Sequence, residues 1–379
     1  MKIAILNVTS GGMSEGYKKY LQHMVPRMAH HPGVSDLIVG VHEKIDFPGY
    51  QKNFPFTHWF SMRPSPWSMS GMNDEVRGKM RAFVPDVVFI PTARFWGMKG
   101  VPTVTMVRNM EPLMWNSENP LFEKIRNQLR KRDAYDSSIR ASRVIAVSHF
   151  VKEFIQNRWK IDPKKIGVVY HGTELTENEN GHCPNSIPAS WKSEFLFTAG
   201  SIRPARGLED VIYALRYLVP KYPIRGLVIA GEPPPSMRGY QSKLTLLIRK
   251  NNLTSNVCWT GKLDDIEMTW CYQNCKIFVM TSRVEACPNI ALEAMANGCI
   301  TVSTKNPPMP EFFGDTTTYY PHKDAKALAQ EIQKILNWDN QTLNERSKNS
   351  KKRAIEFSWD ACVEKTIVEL KKAVEISGV

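Results

Sequence analysis

No apolar run in this 379-residue sequence approaches the roughly 18 residues that a membrane-crossing helix requires. The opening MKIAILNVTSGG has too short an apolar stretch for a secretory signal and lacks a small-residue cleavage site. It reads as a strand and a glycine turn, and a cytoplasmic location is expected. Cysteine is sparse and unpatterned. There are seven, none before Cys183, and no CxxC among them, which argues against a disulfide framework and against a zinc site. Cys271 and Cys275 stand one helical turn apart and are expected to pack on one face rather than to bridge. Low-complexity tracts and RNA-binding motifs are absent as well.

What is present in excess is positive charge, a net +13. Charge of this size suits nucleic acid, an anionic membrane surface or anionic small molecules. The basic residues are spread over both halves of the chain, which argues against nucleic acid. The length exceeds one ordinary core and predicts two domains.

Strand-like apolar runs alternate with helical patterns throughout, the signature of doubly wound α/β domains. Residues 2–8 read as a buried parallel strand, followed by Gly11-Gly12 and by Tyr17, Tyr20, Leu21, Met24, Val25 and Met28 at helical spacing. The double glycine is either a plain tight turn or a place where a phosphate or sugar approaches the backbone. Further strands are predicted at 36–41, 86–90, 101–107, 142–148 and 166–172. Ser148 is placed to cap the helix after it. Residues 51–73 carry Phe54, Phe56, Trp59, Phe60 and Trp67 among prolines and methionines without a clean period. They read as a long loop, either tucked onto the domain or presenting aromatics to a sugar or a membrane surface. Residues 121–132 show Leu121, Phe122, Ile125 and Leu129 at helical spacing beside Lys124, Arg126, Arg130, Lys131 and Arg132. This is a basic amphipathic helix, either a solvated outer face or one that meets anionic lipid.

Residues 173–190 are polar, turn-rich and aperiodic, as a linker should be. Alternation restarts at Phe195, and strands follow at 226–232, 257–262, 277–280 and 299–303, with helices at 208–218, 325–337 and 359–376. The predicted division is 1–180 and 190–360. In the second domain, GSIRPARGL places Arg203 and Arg206 between a strand and a helix, and the fork of Arg suits a diphosphate. The stretch SRVEACPNIALEAMANG, from Ser282 to Gly298, is a strand end, a loop with Pro288 and a helix. Such a unit aims backbone N–H groups at an anion. Glu285 in the loop and Glu293 two turns along frame it, placed to grip sugar hydroxyls as acidic residues grip ribose in dinucleotide folds. The plainer reading is a dipole-favoured loop charge and a solvated helix position.

Several of these stretches together resemble the retaining glycosyltransferases of family 4. Glu285-x7-Glu293 in EACPNIALEAMANG is the most specific. It is joined, in order along the chain, by ASRVIAVS, KIGVVYHG, GSIRPARG, LVIAGE and MPEFFGD. The resemblance spans nearly all of the chain. It implies the GT-B architecture, two facing Rossmann-like domains with a cleft between them and helix 362–379 crossing back onto the first domain. It also implies transfer of a hexose from a UDP- or GDP-linked sugar to a glycan or lipid-linked acceptor in polysaccharide or glycoconjugate synthesis, with no metal and no other cofactor required. No Asp-x-Asp stands in a matching place.

Carried over residue by residue, the resemblance gives Arg203 and Arg206 to the donor diphosphate and Glu293 to the ribose. Glu285, with Ala286, Cys287, Pro288, Asn289 and Ile290, goes to the transferred sugar and its phosphate. Lys262 and Leu263 lie near the base, and Gly12 approaches the phosphate from the first domain. Glu285, Arg203, Arg206 and Asn109 are the candidate catalytic group. Trp59, Trp67, Arg94, Trp96 and Arg108 are the candidate acceptor contacts. Two departures stand out: the family's loop lysine is Arg206 here, and the place of its fourth-strand histidine is taken by Arg108. The competing readings are a nucleotide-sugar epimerase or hydrolase on the same fold, and a non-catalytic basic protein binding membrane or nucleic acid.

Overall fold

The computed structural model describes residues 1–8, 14–42, 57–62, 74–114, 117–175, 181–191 and 193–378. The chain divides into two compact units: Met1–Leu113, Gln128–Gly172 and Trp359–Val379 form one, Met114–Asn127 and Thr173–Ser358 the other.

The first unit holds strands β1 (Lys2–Leu6), β2 (Asp36–His42), β3 (Thr57–Met62), β4 (Val87–Ile90), β5 (Thr103–Val107), β6 (Arg143–Ala146) and β7 (Ile166–Val168). They form one sheet in the order β3-β2-β1-β4-β5-β6-β7, and every neighbouring pair is parallel. Strands β4, β5 and β6 are buried at every position, as expected of a parallel sheet covered on both faces. The C-terminal helix Trp359–Ile376 closes this unit against helix Glu15–Ala29. Trp359 stacks on His23 with ring centres 4.7 Å apart and meets Tyr20 edge-on at 6.1 Å. Its last turns reach β6, where Arg143 Nε donates to the Glu369 carboxylate at 2.7 Å, both side chains being buried. A charge pair so placed resists removal of either partner, because the survivor would stay buried and uncompensated.

The second unit repeats the plan with β8 (Phe195–Ala199), β9 (Gly226–Ala230), β10 (Val257–Gly261), β11 (Ile277–Met280), β12 (Thr301–Thr304) and β13 (Thr318–Tyr320). Their order is β10-β9-β8-β11-β12-β13, again all parallel. One core is built from β8, β9 and β11 with helices Leu208–Leu218 and Ala325–Leu336, and includes Leu196, Val211, Leu215, Ile229, Val279 and Ile332.

One expectation needs correction, and two elements went unpredicted. Residues 57–62 are not loop: they form β3, paired along its whole length with β2, and Phe60 and Met62 point into the core. Strand β13 and helix Asn340–Ile355 were not anticipated from the sequence. Ser148 does cap its helix, accepting from the Val151 N–H at 3.2 Å. All seven cysteines are free thiols.

Candidate functional site

In the six-stranded sheet the strand order changes direction between β8 and β11. Ligands in open parallel sheets bind off the carboxyl ends of strands at such a point. Two loops leave it, residues 200–207 after β8 and 281–288 after β11.

The first loop is shaped by glycine. Gly200 has φ +115°, and a Cβ there would come within 2.9 Å of the Arg206 guanidinium. Pro204–Arg206 make one turn of 3-10 helix, with the Arg206 N–H donating to the Arg203 carbonyl at 2.9 Å. Gly207, at φ +60°, ends that turn and starts helix Leu208–Leu218. The second loop lies against it: Thr281 Oγ1 donates to the Arg206 carbonyl at 2.6 Å, and the Arg283 N–H donates to the Ala205 carbonyl at 2.8 Å. These two bonds lace the loops together.

The lacing brings charged groups together. Arg206 Nη1 forms an ion pair with Glu285 Oε1 and donates to Ser282 Oγ at 3.2 Å. Ser282 is buried, and its carbonyl accepts from Thr304 Oγ1 at 2.9 Å, which ties the loop to β12. Arg203, half-buried, donates from Nε to Ser201 Oγ at 3.3 Å. Beneath the loops Arg283 bridges Glu209 at 3.3 Å and Asp210 at 3.4 Å, and the buried Asp210 also accepts from Tyr320 Oη and the Lys323 N–H.

Helix Asn289–Ala296 begins at Pro288, whose side chain offers no acceptor, and its first turn holds no acidic residue. The N–H groups of that turn and the positive end of the helix dipole suit an anion. Glu293 sits further along the same helix, where its Oε2 accepts from Tyr272 Oη at 2.9 Å. Burial, and after it the Glu293 carboxylate, pushes the Tyr272 phenol well above its ordinary range, so it stays protonated and donates. Its ring meets Phe197 edge-on at 5.3 Å and Phe278 at a tilt at 5.6 Å. Lys262, exposed, and Leu263, half-buried, follow β10. The loops after β8, β9 and β10 touch: the Gly231 N–H donates to the Gly261 carbonyl at 2.7 Å, and a Cβ on Gly231 would fall 2.1 Å from the Gly200 oxygen.

Of the predicted donor residues, Arg203, Arg206, Glu285, Ala286, Cys287, Pro288, Asn289, Ile290 and Glu293 thus lie on the two loops and the helix at the switch point. Ser282, Thr281 and Tyr272 were not singled out in the sequence. Ser282 and Thr281 adjoin Glu285 in the motif, whereas Tyr272 is tied to Glu293 across 21 residues and left no local signal.

Gly12 and Trp67 lie outside the described residues. In the first unit Trp59 is half-buried on β3. Trp96 is 4% exposed, packed in the core with Phe60 and Met80, which withdraws its ring from stacking on a sugar. Arg94 is ion-paired with Asp133. Arg108 lies over the rings of Tyr17 and Tyr20, 4.5 and 4.9 Å from their centres, and donates to the Gly16 carbonyl at 3.0 Å. Exposed Asn109 accepts from the Glu111 N–H at 3.0 Å. Among the described residues no group of three or more His, Cys, Asp or Glu side chains could hold a metal, and no helix is long and apolar enough to cross a membrane.

Residues 184–353 match the family model of glycosyl transferases group 1, and residues 40–177 that of glycosyltransferase family 4. Each half of the chain is thus similar to one domain of a glycosyltransferase, of the group 1 and family 4-like kind. Among curated proteins it is similar to an uncharacterized glycosyltransferase, YqgM of Bacillus subtilis, 29% identical over 44% of this chain and 43% of that one. It is also similar to the serotype-specific mannosyltransferase WbdA of Escherichia coli, 28% identical over 44% of this chain and 20% of that one. The chain spans less than half the length of either relative. Among solved structures, Anabaena HepE in complex with UDP-glucose superposes with a TM-score of 0.75 at 17% identity, covering 98% of this chain and 99% of that one. That likeness defines the fold: two Rossmann-like parallel-sheet domains of the GT-B type.

Proposed function

We propose that the protein is a retaining glycosyltransferase that moves a hexose from a UDP- or GDP-linked sugar to a glycan or lipid-linked acceptor. The observation that carries this reading is the meeting of Arg206, Glu285 and the uncapped start of helix Asn289–Ala296 at the switch point of the second sheet. HepE supports the donor class by its complex with UDP-glucose, and WbdA supports a hexose by its description as a mannosyltransferase.

On this reading Arg203 and Arg206 hold the diphosphate, and Glu293, oriented by Tyr272, takes the ribose hydroxyls. Glu285 and the backbone of residues 286–289, with the start of helix Asn289–Ala296 reaching Ile290, hold the sugar and its phosphate. Lys262 and Leu263 border the base. Trp59, Arg94 and Arg108 remain the acceptor candidates, Arg108 through its hold on the Gly16 backbone, and Asn109 stays with the catalytic group. The sugar–phosphate bond breaks as the acceptor oxygen bonds to the same carbon from the same face. The acceptor proton passes to the departing phosphate oxygen. Negative charge grows on the diphosphate, where guanidinium groups and helix N–H donors are preorganised to receive it.

Thermal-shift titration with UDP, GDP and their sugars, wild type beside Glu293→Ala, tests the reading. Stabilisation by one nucleotide, weakened in the variant, is expected and names the base. No stabilisation by any of them, with or without a glycan acceptor, overturns it. Release of free sugar at the same rate with and without acceptor would make the protein a hydrolase instead.

A further inference from the structure

The loop after β9 holds a carboxylate that the fold leaves uncommitted. Glu232 follows Gly231 directly, and its backbone is fixed: its carbonyl accepts from the Ile202 N–H at 3.1 Å and from Ser201 Oγ at 3.5 Å. Pro233, Pro234 and Pro235 come next, each with its φ locked by the ring. The Glu232 side chain is half-buried, and among the described residues no hydrogen bond or ion pair reaches its carboxylate. The neighbouring acids differ. Glu285 pairs with Arg206, Glu293 accepts from Tyr272, and Asp264 caps helix Asp265–Asn274 by accepting from the Glu267 N–H at 2.8 Å.

The free carboxylate lies beside the loop after β10. Apart from its chain neighbours, a Cβ on Gly261 would meet only Glu232 Oε1, at 3.8 Å. With φ +69°, this glycine presents bare backbone next to the carboxylate. A flat ring can approach bare backbone more closely than it can a side chain. Lys262 and Leu263, which border the base on the proposed reading, are the next two residues. A carboxylate near a diphosphate repels it and weakens binding, unless it accepts hydrogen bonds from another part of the same ligand.

The edges of the bases decide which ligand can supply those bonds. An ionised carboxylate only accepts, through two oxygens side by side. Guanine presents two adjacent donors on one edge, N1–H and the 2-amino group, and matches both oxygens. Uracil presents N3–H between two carbonyl oxygens, which a carboxylate repels. Adenine and cytosine each set one amino donor beside a ring-nitrogen acceptor. We propose that Glu232 accepts from the N1–H and 2-amino groups of a guanine base, which makes the donor a GDP-linked sugar. This rests on the transferase reading above and narrows it to one nucleotide.

The test is calorimetric titration of the full chain with GDP, inosine diphosphate and UDP, wild type beside Glu232→Ala and Glu232→Gln. Inosine diphosphate keeps N1–H and lacks the 2-amino group. A bidentate pair discriminates between bases by about 5- to 150-fold. Wild type is expected to bind GDP more tightly than UDP by that factor, and more tightly than inosine diphosphate by about fivefold or more. In Glu232→Ala the GDP affinity should fall by a similar factor while the UDP affinity does not, and the advantage of GDP over inosine diphosphate should vanish. Glutamine keeps the shape of Glu232 and sets a donor beside an acceptor, so Glu232→Gln should bind UDP more tightly than wild type does. Wild type that prefers UDP, or Glu232→Ala with its GDP affinity unchanged, overturns the inference and leaves the transferase reading standing. An equal loss of GDP and UDP in Glu232→Ala gives the carboxylate to the ribose and overturns it as well. Failure of every nucleotide to bind the wild type removes the transferase reading itself, and this inference with it.

Discussion

Replacing Tyr272 by Phe isolates one bond at the site. The ring is held by Phe197 and Phe278, and Phe fits the same space, so packing is retained. What is lost is the hydroxyl that donates to Glu293 Oε2 at 2.9 Å. A hydrogen bond to a charged group is worth about 1.5–3 kcal/mol. Glu293 is half-buried, so water can replace the donor in part, and a loss of about 1–2 kcal/mol is expected. If Glu293 holds the ribose, this appears as a nucleotide Kd raised about 5- to 30-fold. Calorimetric titration of Tyr272→Phe, Glu293→Ala and the double variant makes a thermodynamic cycle. Since Tyr272 acts through Glu293, adding Tyr272→Phe to Glu293→Ala should change the affinity no further. An unaltered Kd in the single Tyr272 variant, or full additivity in the double, would refute the reasoning.

Gly207→Ala places a side chain at φ +60° and a Cβ 2.6 Å from the Thr281 carbonyl. The backbone term alone costs about 1 kcal/mol, and the clash pushes residues 281–285 away from Arg206. Nucleotide affinity measured by calorimetry should fall about tenfold or more, with circular dichroism unchanged, and full affinity would show that the two loops are not coupled. The buried phenols of Tyr17, Tyr20, Tyr272 and Tyr320 are all raised above their ordinary range, with burial the largest cause in each. The unfolded chain therefore gives up these protons first, so stability is intact below about pH 10 and falls as pH rises beyond it, by about 1.4 kcal/mol per pH unit for each phenol. Urea midpoints measured across that range should decline steeply, and a flat profile would count against the burial of these rings.

The alternation of strand and helix was legible because buried parallel strands are apolar at every position and short. Helices Leu208–Leu218 and Trp359–Ile376 stand where their apolar periodicity places them. Strand β3 escaped notice because exposed His58 and the bulky Trp59 interrupt the inward-facing Phe60 and Met62, and prolines flank the run. Helix Asn340–Ile355 buries little beyond Ser350 and Ala354, so it has hardly any apolar stripe to read, and its start rests on Asp339 accepting from the Thr342 N–H. At the site, the loop residues were legible because motif and topology coincide. Their mutual arrangement was not: nothing local in the sequence says that Arg206 turns to Glu285, 79 positions away, or that Tyr272 reaches Glu293.

The pairing of Arg206 with Glu285 makes the site a closed circuit. Each charge already has a counter-charge, so an incoming ligand meets an occupied seat and must exchange partners. A bare phosphate satisfies the guanidinium but strands the carboxylate, and a bare sugar does the reverse. Only a molecule that carries both functions a short distance apart satisfies the two at once. If these residues hold a nucleotide sugar as proposed, the ion pair acts as a coincidence gate that favours the intact donor over its fragments.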